Sequence, residues 1–283
     1  MKIASLHFYP VKSLAGIAVE QAMLGVRGLP YDRQWMVVDM VGRFVTQRQL
    51  PAMARISVRF EGGYLMLEHP EAEPLAIALA LHEQPRLTAY VWEDACQALD
   101  EGDAAATWLT RVLGDLRGSP LRLVRFDDAQ QRPVESRYLQ GETAHTAFAD
   151  GYPFLVASAS SLAALNQHLD PQGTGPLPMN RFRPNIVIEG APAFAEDGWK
   201  EMAAKAGTYR FGLRKPCQRC KITTVNQATG TIDVPGEPLK TLMAMKAQPL
   251  RPGAYFGQNS TLLAGEGQLI AVGDELVALD TTA

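Results

Sequence analysis

Long apolar runs are absent from this sequence. No segment approaches the ~18 uninterrupted apolar residues that a membrane-spanning helix requires. The N-terminus, Met1-Lys2-Ile3-Ala4-Ser5-Leu6-His7, is too interrupted by polar residues for a secretory signal peptide. We therefore expect no membrane interaction and a cytoplasmic location.

Cysteine is scarce as well. The chain has three cysteines, of which Cys217 and Cys220 are close neighbours and Cys96 stands apart. Three thiols cannot form the disulfide framework of a small secreted protein, so a reducing compartment is expected. The cysteine pair therefore needs another explanation.

A strong charge of either sign is also lacking. The sequence contains 27 lysines and arginines against 30 acidic residues, which gives a formal net charge of −3. No overall basic field is available to attract nucleic acid, so we expect no nucleic-acid partner. Any anion-binding site must come from local clusters.

Short strands separated by glycine turns dominate the 283 residues. Segments 55–60 and 64–68, for example, flank Gly62-Gly63 as in a β-hairpin. Helical periodicity is confined to Asp103 to Leu113 (with Asp103 as N-cap), Ser158 to Leu169, and Glu196 to Ala204. The sequence predicts a mainly β fold with a few helices (α+β), with a domain boundary near residue 126.

The most informative segment surrounds the cysteine pair. In residues 214–225, Arg-Lys-Pro-Cys-Gln-Arg-Cys-Lys-Ile-Thr-Thr-Val, four cationic residues and no carboxylate accompany the two thiols. Nearby positive charge favours the thiolate, which is the form that ligates metals. Because β-branched residues follow Cys220, we expect a strand there, which disfavours a thioredoxin-like pair at a helix start.

Three other interpretations of the pair are possible. A structural zinc site would need two more cysteine or histidine ligands, and the sequence has no second paired motif. The thiols could be buried and unreactive, as free cysteines often are. Alternatively, one soft thiolate ligates a metal cofactor while its neighbour supports it. Local chemistry does not choose between the last two.

Basic and polar residues also cluster at predicted strand ends. The clusters are Tyr9-Pro10-Val11-Lys12-Ser13, Tyr31-Asp32-Arg33-Gln34-Trp35, Phe44-Val45-Thr46-Gln47-Arg48-Gln49 and Asn180-Arg181-Phe182-Arg183-Pro184-Asn185. Each alone is typical of a solvated strand end. Together they offer forked, charge-assisted donors for a phosphate and a planar polar ring system.

These clusters occur in a characteristic order with residues 150–154, 195–199 and 217–225. In that order the sequence resembles the MOSC (molybdenum cofactor sulfurase C-terminal) family that carries a matching N-terminal β-barrel domain. Within this family it is most similar to the mitochondrial amidoxime-reducing components and their bacterial relatives. The resemblance covers nearly the whole chain, and it implies an N-terminal β-barrel-like domain over residues 1–125 and a MOSC β-barrel domain over residues 126–283.

The resemblance implies a molybdenum–molybdopterin cofactor. Cys220 would be the metal ligand and a catalytic residue, and Asp150 would be a second catalytic residue near the metal. The residues expected to bind the cofactor are Lys12, Ser13, Arg33, Arg48, Gly151, Tyr152, Arg181, Arg183 and Asn185. Gly151 and Tyr152 replace small hydroxyl residues of the amidoxime reductases, which leaves their backbone groups as donors, and Cys217 need not touch metal.

The resemblance further implies reduction of N-hydroxylated small molecules by oxygen-atom removal, without pyridoxal phosphate. Because Cys96 is the one cysteine outside the pair, no iron–sulfur cluster with four cysteine ligands is expected. Electrons are expected from a separate ferredoxin, flavoprotein or small haem protein. The competing hypotheses are a cofactor carrier or sulfur-transfer protein that uses Cys220, and a β-barrel module that binds another anionic metabolite.

Overall fold

The computed structural model describes residues 1–80, 83–169, 173–249 and 251–281. The strands within these residues are β1 Lys2–Phe8, β2 Ile17–Val19, β3 Gln21–Met23, β4 Trp35–Val38, β5 Ser57–Glu61, β6 Tyr64–His69, β7 Ala72–Ala78, β8 Arg86–Val91, β9 Asp94–Asp100, β10 Arg122–Phe126, β11 Arg132–Pro133, β12 His145–Thr146, β13 Phe154–Ser158, β14 Ile186–Glu189, β15 Trp199–Ala204, β16 Arg210–Gln218, β17 Tyr255–Ala264, β18 Leu269–Ala271 and β19 Leu276–Thr281. The α-helices are α1 Asp103–Leu113, α2 Ala159–Leu169 and α3 Leu239–Met245. Short 3-10 helices span Pro51–Arg55, Ser136–Tyr138, Met179–Arg181, Ala195–Gly198 and Lys221–Thr224.

The largest sheet has eight strands in the order β19-β15-β16-β17-β13-β14-β1-β2. Its neighbours are antiparallel except for β13 and β14, which run parallel because helix α2 connects them. Strand β1 pairs with β14 and β2, so the start of the chain lies in a sheet that later strands build. Strands therefore pair across the predicted boundary near residue 126, and that boundary stays a prediction.

A second group of strands packs around helix α1. The sheets β4-β10-β9-β8 and β5-β6-β7 bury Trp35, Leu65 and Leu109 in one apolar core. Each fully buried side chain of this size contributes about 1.5–3 kcal/mol. The predicted hairpin around Gly62-Gly63 is confirmed as β5 and β6, and the mainly β fold is confirmed as a whole.

Two predicted helices form. Helix α1 has the predicted bounds, but its N-cap is Gly102 and not Asp103, because the Asp100 carboxylate already accepts the Gly102 N–H at 2.9 Å. Helix α2 starts one residue after the predicted Ser158 and buries Leu165 and Leu169 completely. No described helix is long and apolar enough to span a bilayer.

The helix predicted over Glu196 to Ala204 is wrong. A single 3-10 turn, Ala195–Gly198, is followed by strand β15. This strand is hydrogen-bonded to β16 on one side and to β19 on the other, and it buries Met202. Pairing on both edges outweighs the weak helical period of so short a segment.

The strand predicted after Cys220 is also wrong, since residues Lys221–Thr224 form a 3-10 helix. The hydroxyl of Thr223 donates to the carbonyl of Cys220 at 3.0 Å, and that of Thr224 donates to the carbonyl of Lys221 at 2.7 Å. These local side-chain bonds satisfy the backbone in a turn, which competes with strand pairing.

Candidate functional site

A cavity of about 770 Å³, which includes solvent at its mouth, lies where the chain start meets strands β16 and β17. We call it the cysteine cavity. Its lining residues are Lys12, Ser13, Arg33, Ala149, Asp150, Gly151, Tyr152, Phe154, Leu155, Phe182, Arg183, Asn185, Cys217, Gln218, Arg219, Cys220, Ile222 and Asn259. Residues more than 200 positions apart in the sequence thus share one cavity.

Both thiols of the cysteine pair reach this cavity. Cys217 lies near the end of β16, Cys220 precedes the 3-10 helix, and both are half-buried. Arg219 stands between them: its Nη1 is 2.9 Å from the Sγ of Cys217, and its Nη2 donates to the Phe182 carbonyl at 2.7 Å. On the other side, Nη1 of Arg48 lies 4.0 Å from the Sγ of Cys220. Each sulfur therefore has a guanidinium beside it.

Lys12 and Asp150 form an ion pair in the cavity, with Nζ and Oδ1 2.6 Å apart. The ammonium also donates to the Phe148 carbonyl at 2.7 Å. Burial lowers the pKa of Lys12 to about 8, although Asp150 opposes that change. Desolvation by the cavity walls favours the neutral form of Asp150, but Lys12 and nearby arginines outweigh it and lower the pKa of its carboxyl to about 2. Both groups are therefore charged at neutral pH.

The loop that carries Asp150 is held by Arg132. This buried side chain donates to the carbonyls of Ala147 at 3.0 Å, Ala149 at 2.6 Å and Asp150 at 3.3 Å. Its Nε bonds to Asp94 at 2.9 Å, which ties the loop to strand β9. Four bonds to a single guanidinium fix the place of Asp150 against Lys12.

Two arginines lie against one aromatic ring, and of the two Arg183 is buried and Arg33 is partly exposed. The guanidinium carbons of Arg33 and Arg183 lie 4.3 Å and 4.2 Å from the centre of the Tyr9 ring. Asp32 neutralises Arg33 at 2.6 Å, and Arg183 donates to the Leu14 carbonyl at 2.6 Å. Burial, together with Arg33, lowers the pKa of Arg183 to about 10. Concentrating cations in a buried place is unfavourable unless an anion joins them.

The backbone is also strained around these cations. Ser13, Arg33 and Arg183 have φ values of 68°, 50° and 56°, in the left-handed region that residues other than glycine rarely adopt. Strain of this kind costs about 1–3 kcal/mol for each residue and clusters at functional sites. Three such residues in one cavity indicate a site shaped for a ligand.

Comparison with known proteins shows the family. The profile "MOSC N-terminal beta barrel domain" matches residues 1–116, and the profile "MOSC domain" matches residues 143–277. "Mitochondrial amidoxime-reducing component 1" of Xenopus laevis is 35% identical, over 96% of this chain and 80% of its own length. The chain belongs to the MOSC family.

Other relatives of this MOSC protein agree. "Mitochondrial amidoxime-reducing component 1" of Homo sapiens is 34% identical over 86% of this chain and 72% of its own length. "Molybdenum cofactor sulfurase" of Drosophila persimilis is 30% identical over 98% of this chain but 35% of its own length, so this chain spans about a third of that longer protein. The family predicted from the sequence motifs is confirmed.

The cysteine cavity of the MOSC protein brings together nine of the eleven predicted site residues. They are Lys12, Ser13, Arg33, Asp150, Gly151, Tyr152, Arg183, Asn185 and Cys220. Arg48 touches Cys220 without lining the cavity. Arg181 lies apart, since its guanidinium donates to the Thr223 carbonyl at 3.3 Å and to Asp233 at 3.4 Å. Arg181 thus supports the segment after Cys220 by a hydrogen bond to its backbone.

Nine further residues line the MOSC cavity, and three of them have amide or guanidinium side chains that the sequence prediction does not include: Gln218, Arg219 and Asn259. Arg219 carries a signal, because it lies between the two cysteines. Gln218 and Asn259 carry none, since an amide in a strand is ordinary; β16 and β17 bring them to the cavity by pairing. Among the described residues, no group of three or more histidine, cysteine or acidic side chains could hold a metal ion.

Proposed function

We propose that this MOSC protein binds a molybdenum–molybdopterin cofactor in the cysteine cavity and reduces N-hydroxylated small molecules. One observation carries the proposal: a half-buried thiol, Cys220, shares a cavity with cations from distant parts of the chain. The relatives named amidoxime-reducing components supply the substrate class, and the one named molybdenum cofactor sulfurase supports the cofactor.

The residues of the cavity fit such a cofactor. Nη2 of Arg183 and Nε of Arg219 are buried and have no hydrogen-bond partner within the described structure. Unpaired buried donors are costly, so a ligand that accepts from them is expected. Lys12 has three N–H groups, of which two are used, and the third remains for an anionic oxygen. A phosphate and a polar ring system match this donor set.

We assign the cofactor's protein contacts accordingly. Cys220 would ligate the metal through Sγ, and a lone protein thiolate agrees with the lack of any described three-residue metal cluster. Lys12, Ser13, Arg33, Arg183 and Asn185 would hold the pterin and its phosphate, with Gly151 and Tyr152 contributing backbone groups. Arg48 and Arg219 would place a positive charge beside each of the two sulfurs.

The overall reaction is R–NHOH + 2 e⁻ + 2 H⁺ → R–NH2 + H2O. When bound, the molybdenum cofactor would supply the two-electron redox chemistry of this reaction. Asp150 binds the substrate: Oδ1 is occupied by Lys12, and its side chain is 58% exposed, so Oδ2 is open to a substrate N–H. Lys12, with its pKa near 8, holds a proton beside the same carboxylate. Electrons come from a separate protein.

Turnover with an artificial donor tests this proposal. The purified protein, a reduced viologen and an aromatic amidoxime should give the amidine, while Cys220→Ala should give none. Cys217→Ala is the matched control, because it removes a neighbouring thiol of the same cavity, and it should retain turnover. Absence of amidine with the unaltered, cofactor-loaded protein would overturn the reductase function.

A second candidate function is a cofactor carrier or sulfur-transfer protein. The similarity to molybdenum cofactor sulfurase over 98% of this chain favours it, and Cys220 is half-buried and so within reach of a partner. A carrier would bind the cofactor and show no turnover in the viologen assay. The same experiment therefore separates the two functions.

A further inference from the structure

A second depression lies next to the cysteine cavity. It has a volume of about 900 Å³, which includes open solvent. We call it the outer cleft, and its lining residues are Asp39, Arg43, Phe44, Arg48, Gln49, Trp92, Leu116 and Arg117. None of these residues except Arg48 has been given a role above.

Arg48 connects the outer cleft with the cysteine cavity. Its guanidinium carbon lies 4.4 Å from the centre of the Trp92 ring and 5.0 Å from that of Phe44. Its Nη1 lies 4.0 Å from the Sγ of Cys220. Since Trp92 is 46% exposed, one side chain separates a solvent-facing aromatic ring from the thiol that would ligate the metal.

The outer cleft carries unneutralised positive charge. Three arginines line it against one carboxylate, that of Asp39, whose Oδ1 already accepts the N–H groups of Val41 and Arg43 at 3.0 Å and 2.9 Å. Within the described part of the chain, no carboxylate lies within the 4.0 Å ion-pair limit of any of the three guanidinium groups. A positive surface on a chain of net charge −3 suits an acidic partner.

Exposed apolar side chains border this positive surface. Met40 and Val41 are 58% and 69% exposed at the tip of the turn that leads into Arg43. The turn is anchored to its neighbours: Ser119 accepts the Met40 N–H at 3.2 Å, and Gly42 packs too closely against the Thr88 carbonyl for any side chain to fit. Tryptophan, methionine and arginine are the residues enriched where proteins dock.

We propose that the outer cleft is the docking site of an acidic electron-carrier protein. This inference rests on the proposed function, which requires a separate electron donor. A small contact is sufficient, since electron-transfer encounters typically bury less than about 1,200 Å². For each substrate molecule the reaction consumes two electrons, so a one-electron carrier docks twice per turnover and leaves oxidised each time.

Charge reversal in the outer cleft tests the proposal. Arg43→Glu combined with Arg117→Glu changes two exposed cations that bind neither cofactor nor substrate. The matched control combines Lys205→Glu with Arg210→Glu, which alters the net charge equally, near the opposite end of β16 from Cys217. Activity is measured with three acidic carriers as donors, a 2Fe–2S ferredoxin, a flavodoxin and the haem domain of a cytochrome b5, and with a viologen of zero net charge.

At least one of the three carriers should support amidoxime reduction. For every carrier that does, the outer-cleft variant should lower the kcat/KM for the carrier at least tenfold at low salt, and added salt should shrink that difference. The control variant and the viologen-driven rate should each stay within twofold of the unaltered protein.

Two results of the charge-reversal experiment would overturn the proposal. One is carrier-driven kcat/KM that stays within twofold in the outer-cleft variant. The other is failure of all three carriers while the viologen still drives reduction. Failure of the viologen reaction itself, in contrast, contradicts the proposed function, so the two failures are distinguishable.

The apolar tip provides an independent test of the same surface. Met40→Ser combined with Val41→Ser keeps every charge and should lower carrier kcat/KM about threefold to tenfold at all salt concentrations. A salt-independent loss separates apolar contact from electrostatic steering. No loss in this variant would contradict docking at the outer cleft.

Discussion

The cysteine cavity and the outer cleft both contain arginines, but they hold them differently. In the cysteine cavity, Arg33 and Arg183 are largely withdrawn from water, bonded to carbonyls and a carboxylate, and placed on strained backbone. In the outer cleft, Arg43 and Arg117 are exposed, with no described carboxylate in ion-pair range. Pre-organised cations suit a ligand that stays bound, whereas free ones suit a partner that comes and goes.

The largest effect is expected from removing Arg132, which holds the loop that carries Asp150 in the cysteine cavity. Arg132→Ala leaves three backbone carbonyls without their buried donor and removes the bond to Asp94, and we expect the free energy of unfolding to fall by about 3–5 kcal/mol. Urea denaturation measures it. Arg86→Ala is the control, since it also breaks an Arg–Asp pair but at a side chain that is 62% exposed, and it should cost less than about 1 kcal/mol. Equal losses of unfolding free energy in the two variants would contradict the role of Arg132 in holding this loop.

The next largest effect is expected at Glu196, a buried acid that lies outside both the cysteine cavity and the outer cleft. Burial raises the pKa of Glu196 to about 7 from 4.5, although Ser161 donates to it. Since the folded state binds the proton of the Glu196 carboxyl more tightly than the unfolded state does, the protonated carboxyl stabilises the fold. This stabilisation is complete below pH 4.5 and is lost as the pH rises through 7. Glu196→Gln should therefore stabilise the fold at pH 8 by about 3 kcal/mol and leave it nearly unchanged at pH 4.5. Urea denaturation at both values checks this; equal effects at the two pH values would contradict it.

Arg183 separates ligand binding from folding. Arg183→Met in protein from a host that lacks the cofactor should change the free energy of unfolding by about 1 kcal/mol or less, because the burial of an incompletely bonded cation offsets its hydrogen bond. In a host that makes the cofactor, the molybdenum content should fall more than tenfold. Loss of stability without loss of metal would mean that Arg183 serves the fold alone.

The smallest effect belongs to the outer cleft. Because Arg43 and Arg117 make no described ion pair, reversing both charges should change the free energy of unfolding by less than about 0.5 kcal/mol. Urea denaturation of the double variant provides the comparison with Arg183→Met. A loss of several kcal/mol would show that these arginines support the fold and are not free for a partner.

The sequence predicts the cysteine cavity better than its surroundings. The strand-end clusters around Lys12, Arg33 and Arg183 do converge with Cys220, because strand β1 pairs with β14 in the sheet that holds the cysteine pair. The strand order is not visible in a sequence without a known relative. Arg181 looks the same as Arg183 in the sequence, but it points instead to Asp233.

The segments where the sequence prediction fails depend on distant contacts or on local hydroxyl groups. Glu196 to Ala204 has a weak helical period, and two neighbouring strands make most of it a strand. After Cys220, Thr223 and Thr224 turn the chain with their own side chains, against their preference for strands. The sequence does not indicate the outer cleft as a site: Arg48 belongs to a predicted strand-end cluster, but Trp92 and Arg117 come from two other, separate loops.

Molybdenum content per protein chain tests the central claim most directly. It is measured by plasma mass spectrometry on protein purified from a host that makes the cofactor, for the unaltered chain, Cys220→Ala and Cys217→Ala. We expect the unaltered chain and Cys217→Ala to approach one molybdenum per chain and Cys220→Ala to carry almost none. Stoichiometric molybdenum in folded Cys220→Ala protein would contradict the account.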